Sequence, residues 1–387
     1  MSRIPKRLLI YSADFWPTTG GVQSVVMTLA RGLGSESQFS PVTECTVVTE
    51  TPARAASDSD LPFRVVRKPS LIELARLLWR ADLVHLAGPA LRPLAISLLF
   101  RKQVIVEHHG FQTICPNGSL FHEPTRSSCP GHFAAGRHRE CWKCNSGAGY
   151  LQSFRAWALT FFRRGCCRLV AANIAPTGWL ERLLQLPHTF IIPHGVAARP
   201  SLPLPSAKTP SFAFVGRLVS TKGVDLLLRA SCELLNKGLE FRLLIIGDGP
   251  ERKTLERLCA KLELAARVDF LGEIPEQEVD ARLGDEIAVV IPSVGGEVFG
   301  LVAPENMMRG RTVIIPDGGS LAEIAGETGL KFTAGDAKSL AACMEQLLRS
   351  PEIAMKLGEL GRTRSLKLFR AERMLQDHWA LYQKVLE

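Results

Sequence analysis

Long uncharged runs are missing from this 387-residue chain. No stretch of twenty residues is free of charge. The nearest, DLVHLAGPALRPLAISLLF at 82–100, carries Asp82, His85, Arg92 and two prolines, so no membrane-spanning helix is expected. The start, MSRIPKRLLIYSADFWP, has an apolar run too short for a secretory leader and runs straight into Asp14, which reads as a first strand. Aromatics make up only 7% and no nucleic-acid-binding motif occurs, which excludes nucleic acid from the expected partners. Short internal repeats and a low-complexity tail are absent as well. Ten cysteines at irregular spacings do not make a disulfide scaffold at this length, and the expected compartment is reducing and cytoplasmic.

What is present points to two globular domains. The length exceeds one ordinary core, and 46% apolar with 22% charged residues is an ordinary soluble composition. The charge is lopsided. Residues 1–196 hold 22 Lys and Arg against 12 Asp and Glu, a net of +10, whereas residues 197–387 hold 25 against 26. A basic half suits anionic partners such as phosphates or a membrane surface.

Short apolar runs alternate with amphipathic stretches in both halves. RLLIYSA, DLVHLAG, QVIVEHH, RLVAANIAP and TFIIPHG read as buried strands of the first half. FAFVGR, FRLLIIGDG, RVDFLGE, IAVVIPS and TVIIPD read as strands of the second. Stretches such as VQSVVMTLARGL and VDLLLRASCELLNKG read as helices between them. The alternation predicts an α/β fold of parallel sheets covered on both faces. The Pro- and Ser-rich segment ARPSLPLPSAKTP at 198–210 is the expected linker, giving domains 1–197 and 198–387. Two doubly wound domains would face a central cleft with their C-terminal strand ends.

Candidate site residues sit at such strand ends. In FAFVGRLVSTKGVDLLLRA, Gly216 and Arg217 close a strand and Lys222 precedes a helix, an arrangement able to clamp a diphosphate. Gly20 and Gly21, before the first helix, allow close approach of a ligand, although no GxGxxG pattern is formed. Gly247 lies in the strand-to-helix loop IIGDGPE. In GGEVFGLVAPE, Glu297 falls in a loop beside an exposed-looking Phe299, and Glu305 falls in the first turn of the following helix. The Phe299 to Val302 amides lie between the two carboxylates. Such a set can bind a molecule with hydroxyls at both ends and negative charge in the middle.

Together these segments resemble the retaining, GT-B-fold glycosyltransferases of group 1 (GT4). The stretch GGEVFGLVAPENMMRGRTVIIPDGGSLAEI matches the family's E-x7-E signature, and GG after the first strand, VGRLVSTKG, IIGDGPE, VDFLG and IIPHGV follow in the family's order. The resemblance covers nearly the whole chain and implies two Rossmann-like domains, the last helix packing back on the first. It implies that Glu297 holds donor-sugar hydroxyls, Glu305 the ribose hydroxyls, and Arg217 and Lys222 the leaving diphosphate. Phe299, Gly300, Leu301 and Val302 would contact sugar or phosphate through their amides, and Val268 the base. Gly216 and Gly247 would line the donor pocket, and Gly20 and Gly21 would close it.

His109, in QVIVEHHGFQTICP, aligns with a family histidine near the transferred sugar. Gln23, Pro304 and Asn306 depart from the family's usual residues. The implied reaction transfers a sugar, with retention, from a UDP- or GDP-sugar to a glycan or lipid-linked acceptor, with no metal required. A GT-B epimerase and a catalytically degenerate partner subunit are the alternative readings.

Two segments stand apart. The stretch 115–147 carries Cys115, Cys129, Cys141 and Cys144, which suit a structural Zn2+ site, with His122, His132 or His138 able to replace a thiolate. In SFRAWALTFFRRGCCRLV, at 153–170, the apolar face is expected to pack into the domain. Its arginines are expected to seat the protein on the inner membrane's cytoplasmic face. DSD at 58–60 mimics a metal-binding motif but reads as a solvated turn.

Overall fold

The computed structural model describes residues 7–34, 44–53, 58–144, 149–202 and 209–387. The middle of the expected linker and the end of the cysteine-rich stretch, 145–147, lie outside these residues. The strands are β1 Arg7–Ser12, β2 Glu44–Thr49, β3 Arg64–Arg67, β4 Leu83–Ala87, β5 Gln103–Glu107, β6 Phe121–His122, β7 Ser127–Ser128, β8 Ala172–Ala175, β9 Thr189–Ile191, β10 Ser211–Val215, β11 Arg242–Ile246, β12 Val268–Gly272, β13 Glu286–Val290, β14 Thr312–Pro316 and β15 Leu330–Phe332.

Two parallel sheets form from them. One runs β3-β2-β1-β4-β5-β8-β9, the other β12-β11-β10-β13-β14-β15, and β6 and β7 make a short antiparallel pair. The central strands are buried along almost their whole length because helices cover both faces. The chain divides into two compact units. The first holds 1–119, 131–196 and 370–387; the second holds 120–130 and 197–369. The last helix, Ala371–Leu386, is thus part of the first unit. Part of the cysteine-rich stretch is grouped with the second, where Ser128 Oγ donates to the Val294 carbonyl at 2.7 Å.

Local chemistry sets the element ends. The helix Gly21–Leu33 turns Val25, Val26, Leu29, Ala30 and Leu33 inward, one stripe at helical spacing. Ser70, Thr177 and Asp336 cap helices through their side chains, each accepting from an amide two or three residues on. Strands β2, β3 and β15 escaped the sequence reading. β3 is four residues at a sheet edge with arginine at both ends, and β15 is three residues at the other sheet's edge. The DSD turn also differs from its reading, since Asp58 accepts from Arg67 Nε at 2.9 Å and Nη2 at 2.7 Å. That pair ties the turn to β3.

Glu286 opens β13 while buried, and its Oε2 has no hydrogen-bond partner. Burial pushes its carboxyl up to about 7, with Arg311 pulling the other way. An unfolded Glu titrates near 4.5. Between those values the folded chain holds a proton that the unfolded chain releases, so stability falls as pH rises through this window. Glu286→Gln should flatten the fall and raise the melting temperature at pH 8. Parallel melting curves for both proteins from pH 5 to 8 would remove this assignment.

Candidate functional site

In the second unit β10 and β13 are neighbours whose crossovers leave in opposite directions, the switch point where parallel sheets open toward ligands. β10 runs out through Gly216 and Arg217 into a turn at Ser220–Lys222, and Gly223 starts the helix Val224–Asn236. Arg217 is exposed. After β13 come buried Ile291, Pro292 and Ser293, then the half-buried loop that holds Glu297. The two loops are stitched together. The Thr221 carbonyl accepts from Val294 N at 2.9 Å and Gly295 N at 3.0 Å. Gly223 has φ 67°, and a Cβ there would stand 2.0 Å from the Pro292 carbonyl oxygen.

This stitching brings Lys222 onto Glu297, Nζ to Oε1 at 2.5 Å, and Ser293 Oγ donates to the same oxygen at 2.8 Å. The Lys222 side chain is 30% exposed and that of Glu297 16%, so the pair is screened less than a surface pair but open to a ligand. Gly247 has φ 132°, and a Cβ there would meet the Gly216 carbonyl oxygen at 2.0 Å. Gly216 N donates to Ile246 O and Gly247 N to Gly272 O, which keeps the ends of β10, β11 and β12 flush.

Glu305 lies in the first turn of the helix Val302–Met308, half-buried, and Gly300 turns the chain into that helix with φ 83°. Among the described residues the Leu301 and Val302 amides donate to no backbone carbonyl. Phe299 is not exposed. It is buried with its ring edge-on to Phe369, centroids 5.6 Å apart, so it anchors the loop from below. Val268 also departs from its expected role. It stands at the first position of β12, opposite Leu243, and packs into the core. The ligand-facing ends of β10 and β11 are at the other end of the sheet, roughly 13 Å away at about 3.3 Å per residue.

In the first unit Gly20 precedes the helix that Gly21 opens, and Gln23 folds back to donate to Thr18 Oγ1 at 3.4 Å. His109 follows the end of β5. Its side chain is 5% exposed, lies 3.4 Å from Glu107 Oε2 and stacks on His194 with centroids 4.8 Å apart. Glu107 is fully buried two residues earlier. Its carboxylate also faces His85 Nε2 at 3.1 Å, His194 Nε2 at 3.2 Å and His378 Nε2 at 3.5 Å. Tyr382 OH meets His85 Nδ1 at 2.9 Å.

Burial alone would push the Glu107 carboxyl up, but the surrounding imidazoles of His109 and His378 hold it well below the usual range. Burial pushes His194 and His108 down to about 4. Sequence reading missed this cluster. Its only trace was histidine in DLVHLAG and IIPHGV, and the register of β4 on β5 is needed to bring His85 near Glu107. Among the described residues, the group of three or more possible metal ligands within 4.8 Å is Glu107, His109 and His194. It contains none of Cys115, Cys129, Cys141 or Cys144. Cys115 donates to Asn117 Oδ1 at 2.7 Å.

Comparison with known proteins finds a family match in the second unit. Residues 202–364 match the family described as glycosyl transferases group 1. That segment is similar to group 1 glycosyl transferase domains and makes up less than half of the chain. A 2-deoxystreptamine glucosyltransferase of Streptomyces kanamyceticus is 28% identical over 51% of this chain and 52% of its own. The chain thus spans about half the length of that curated relative. A GDP-mannose-dependent alpha-(1-6)-phosphatidylinositol monomannoside mannosyltransferase of Mycolicibacterium smegmatis is 26% identical over 97% of this chain and 94% of its own. Among solved structures, Anabaena HepE in complex with UDP and glucose superposes with a TM-score of 0.73, at 15% identity over 98% of this chain and 99% of that one. The two parallel-sheet units are those of the GT-B fold.

The glycine geometry is directly testable. Gly247→Ala should cost on the order of 3 kcal/mol, since both φ and a carbonyl oxygen oppose it. Gly238, φ 69° with open space around it, serves as the control and should cost about 1 kcal/mol on change to Ala. Equal losses in urea unfolding would show that the strand-end contact does not matter.

Proposed function

We propose that the chain is a retaining glycosyltransferase that takes a sugar from a UDP- or GDP-sugar and places it on a glycan or polyprenyl-diphosphate-linked glycan, in cell-surface polysaccharide assembly at the cytoplasmic face of a membrane. The observation that carries this reading is the Lys222, Ser293 and Glu297 constellation at the switch point of a group 1 domain. A donor diphosphate would draw the Lys222 ammonium off Glu297, with exposed Arg217 as a second cation. Glu297 and Glu305 would then accept from sugar and ribose hydroxyls, as carboxylates do.

On this reading catalysis is orientation plus stabilisation of the departing diphosphate by Arg217 and Lys222. The acceptor attacks on the face the diphosphate leaves, and a phosphate oxygen takes the acceptor proton. The arrangement calls on no metal. A thermal-shift series with UDP, GDP, ADP and their sugar conjugates tests the donor pocket. One nucleotide family should raise the melting temperature by several degrees, and Lys222→Ala should abolish the shift. Glu297→Gln should lower turnover by at least tenfold while nucleotide binding persists. Shifts without any transfer would favour a degenerate partner subunit. Release of free nucleotide without an acceptor would favour an epimerase.

A lipid-linked acceptor suits a second observation. The helix Tyr150–Cys167 does not bury its apolar side as expected. Tyr150, Leu151, Phe154, Phe161 and Phe162 are all exposed, and at 100° per residue they fall on one face with Arg155 at its margin. Arg163 and Arg164 are half-buried instead, Arg164 donating to the Leu184 carbonyl at 2.7 Å. Among the described residues no helix is long and apolar enough to cross a membrane. An exposed aromatic face on a basic half fits shallow contact with an anionic leaflet. Co-sedimentation with phosphatidylglycerol vesicles should fall several-fold on changing Phe161 and Phe162 to serine. Binding that ignores the change would sink the apolar contact.

A further inference from the structure

We propose that Glu107, His109 and His194 form a binding site for one divalent transition-metal ion, zinc by its donor set, inside the first unit. This does not rest on the glycosyl-transfer reading. The first observation is spacing. His109 Nε2 lies 3.4 Å from one Glu107 oxygen, and His194 Nε2 lies 3.2 Å from the other. Ligands about 2.0–2.1 Å from a common tetrahedral ion stand about 3.3–3.4 Å from one another. The three ligand atoms fall within 4.8 Å of one another.

The second observation is unsatisfied polarity. Glu107 Oε1, His109 Nε2 and His378 Nε2 are buried and make no hydrogen bond. Native interiors leave few such atoms, and here one belongs to the carboxylate and two face it. His378 Nδ1 meets the Met374 carbonyl at 2.8 Å and must donate its proton there. Its Nε2 faces Glu107 Oε2, 3.5 Å away. A cation seated between the carboxylate and these rings would give the orphaned atoms a partner.

The third observation is orientation from outside. His85 Nε2 donates to Glu107 Oε2 at 3.1 Å, and Tyr382 OH donates to His85 Nδ1 at 2.9 Å. The hydroxyl fixes the His85 tautomer, and His85 fixes the carboxylate, as outer partners do around metal ligands. Two imidazoles and one carboxylate suit zinc with a fourth position open. The ion would tie the end of β5 to the segment after β9, and the last helix would hold the ligands through Tyr382.

The test uses the full chain, stripped with chelator and titrated with Zn2+ and Co2+ alone. One equivalent of Zn2+ should bind and raise the melting temperature by several degrees. The Co2+ form should show visible ligand-field bands without a thiolate-to-cobalt charge-transfer band. Glu107→Gln and His194→Ala should lose uptake, while Cys141→Ser and Cys144→Ser keep it. If the buried-site variants do not fold, the wild-type readings still decide. Absence of stoichiometric uptake, or a thiolate charge-transfer band in the wild-type Co2+ spectrum, overturns the proposal, as does loss of uptake in the cysteine variants.

Discussion

At Gly223 the φ of 67° and a carbonyl oxygen 2.0 Å from where a Cβ would stand leave room for hydrogen only, and at Gly247 a carbonyl oxygen at the same distance does likewise. These two contacts let the loops after β10, β11 and β13 close on one another without side chains between them. The Thr221 carbonyl can then take two amides from the opposite loop. Lys222, one residue on, is delivered to Glu297 as a consequence. Polar side chains at a strand end are common. What is uncommon here is that backbone packing fixes both partners before any ligand arrives, which is the preorganisation that a charge-stabilising site needs.

The first unit is organised around a different difficulty. A fully buried carboxylate costs several kcal/mol unless charges and donors surround it. Glu107 meets four imidazoles contributed by β4, the end of β5, the segment after β9 and the last helix. That convergence explains why residues 370–387, far along the chain, belong to the first unit. Close packing of Gly195 on Ala371 and Gly32 on Leu375 fixes where the helix sits. A histidine and a tyrosine at i and i+4, His378 and Tyr382, then both reach the cluster.

The strand–helix alternation was legible because central parallel strands are continuous apolar runs, as QVIVE and TVIIP are. β3 and β15 were not, because a three- or four-residue edge strand broken or bounded by charged residues, as LKF and RVVR are, carries no such run. Glu297, Glu305, Arg217 and Lys222 were legible through their motif and stand at the expected strand ends. Their partners were less so, since Ser293 on Glu297 and the Lys222 pairing depend on two loops meeting across 75 positions of sequence. Val268 was misplaced by reading a motif without its direction. The residue lies on the right strand at the wrong end. The contacts of His109 with Glu107 and His194 were not legible, because they depend on a buried carboxylate and a segment far along the chain.

The charge asymmetry gains a physical sense from where the cations sit. Arg163 and Arg164 are half-buried, and Arg164 donates to a helix-end carbonyl. Arg155 is exposed beside the aromatic face. Lys222 is the reverse case. It is held by a carboxylate in a partly screened pocket, so an anion can win it only by bringing more charge at closer range than Glu297 does. A monoanion meets that demand poorly and a diphosphate meets it well, because two phosphates engage Arg217 and Lys222 together. On the proposed reading the ion pair is therefore a selectivity element. It discourages small anions from the pocket and releases Glu297 for hydroxyls only when a ligand carries the charge to replace it.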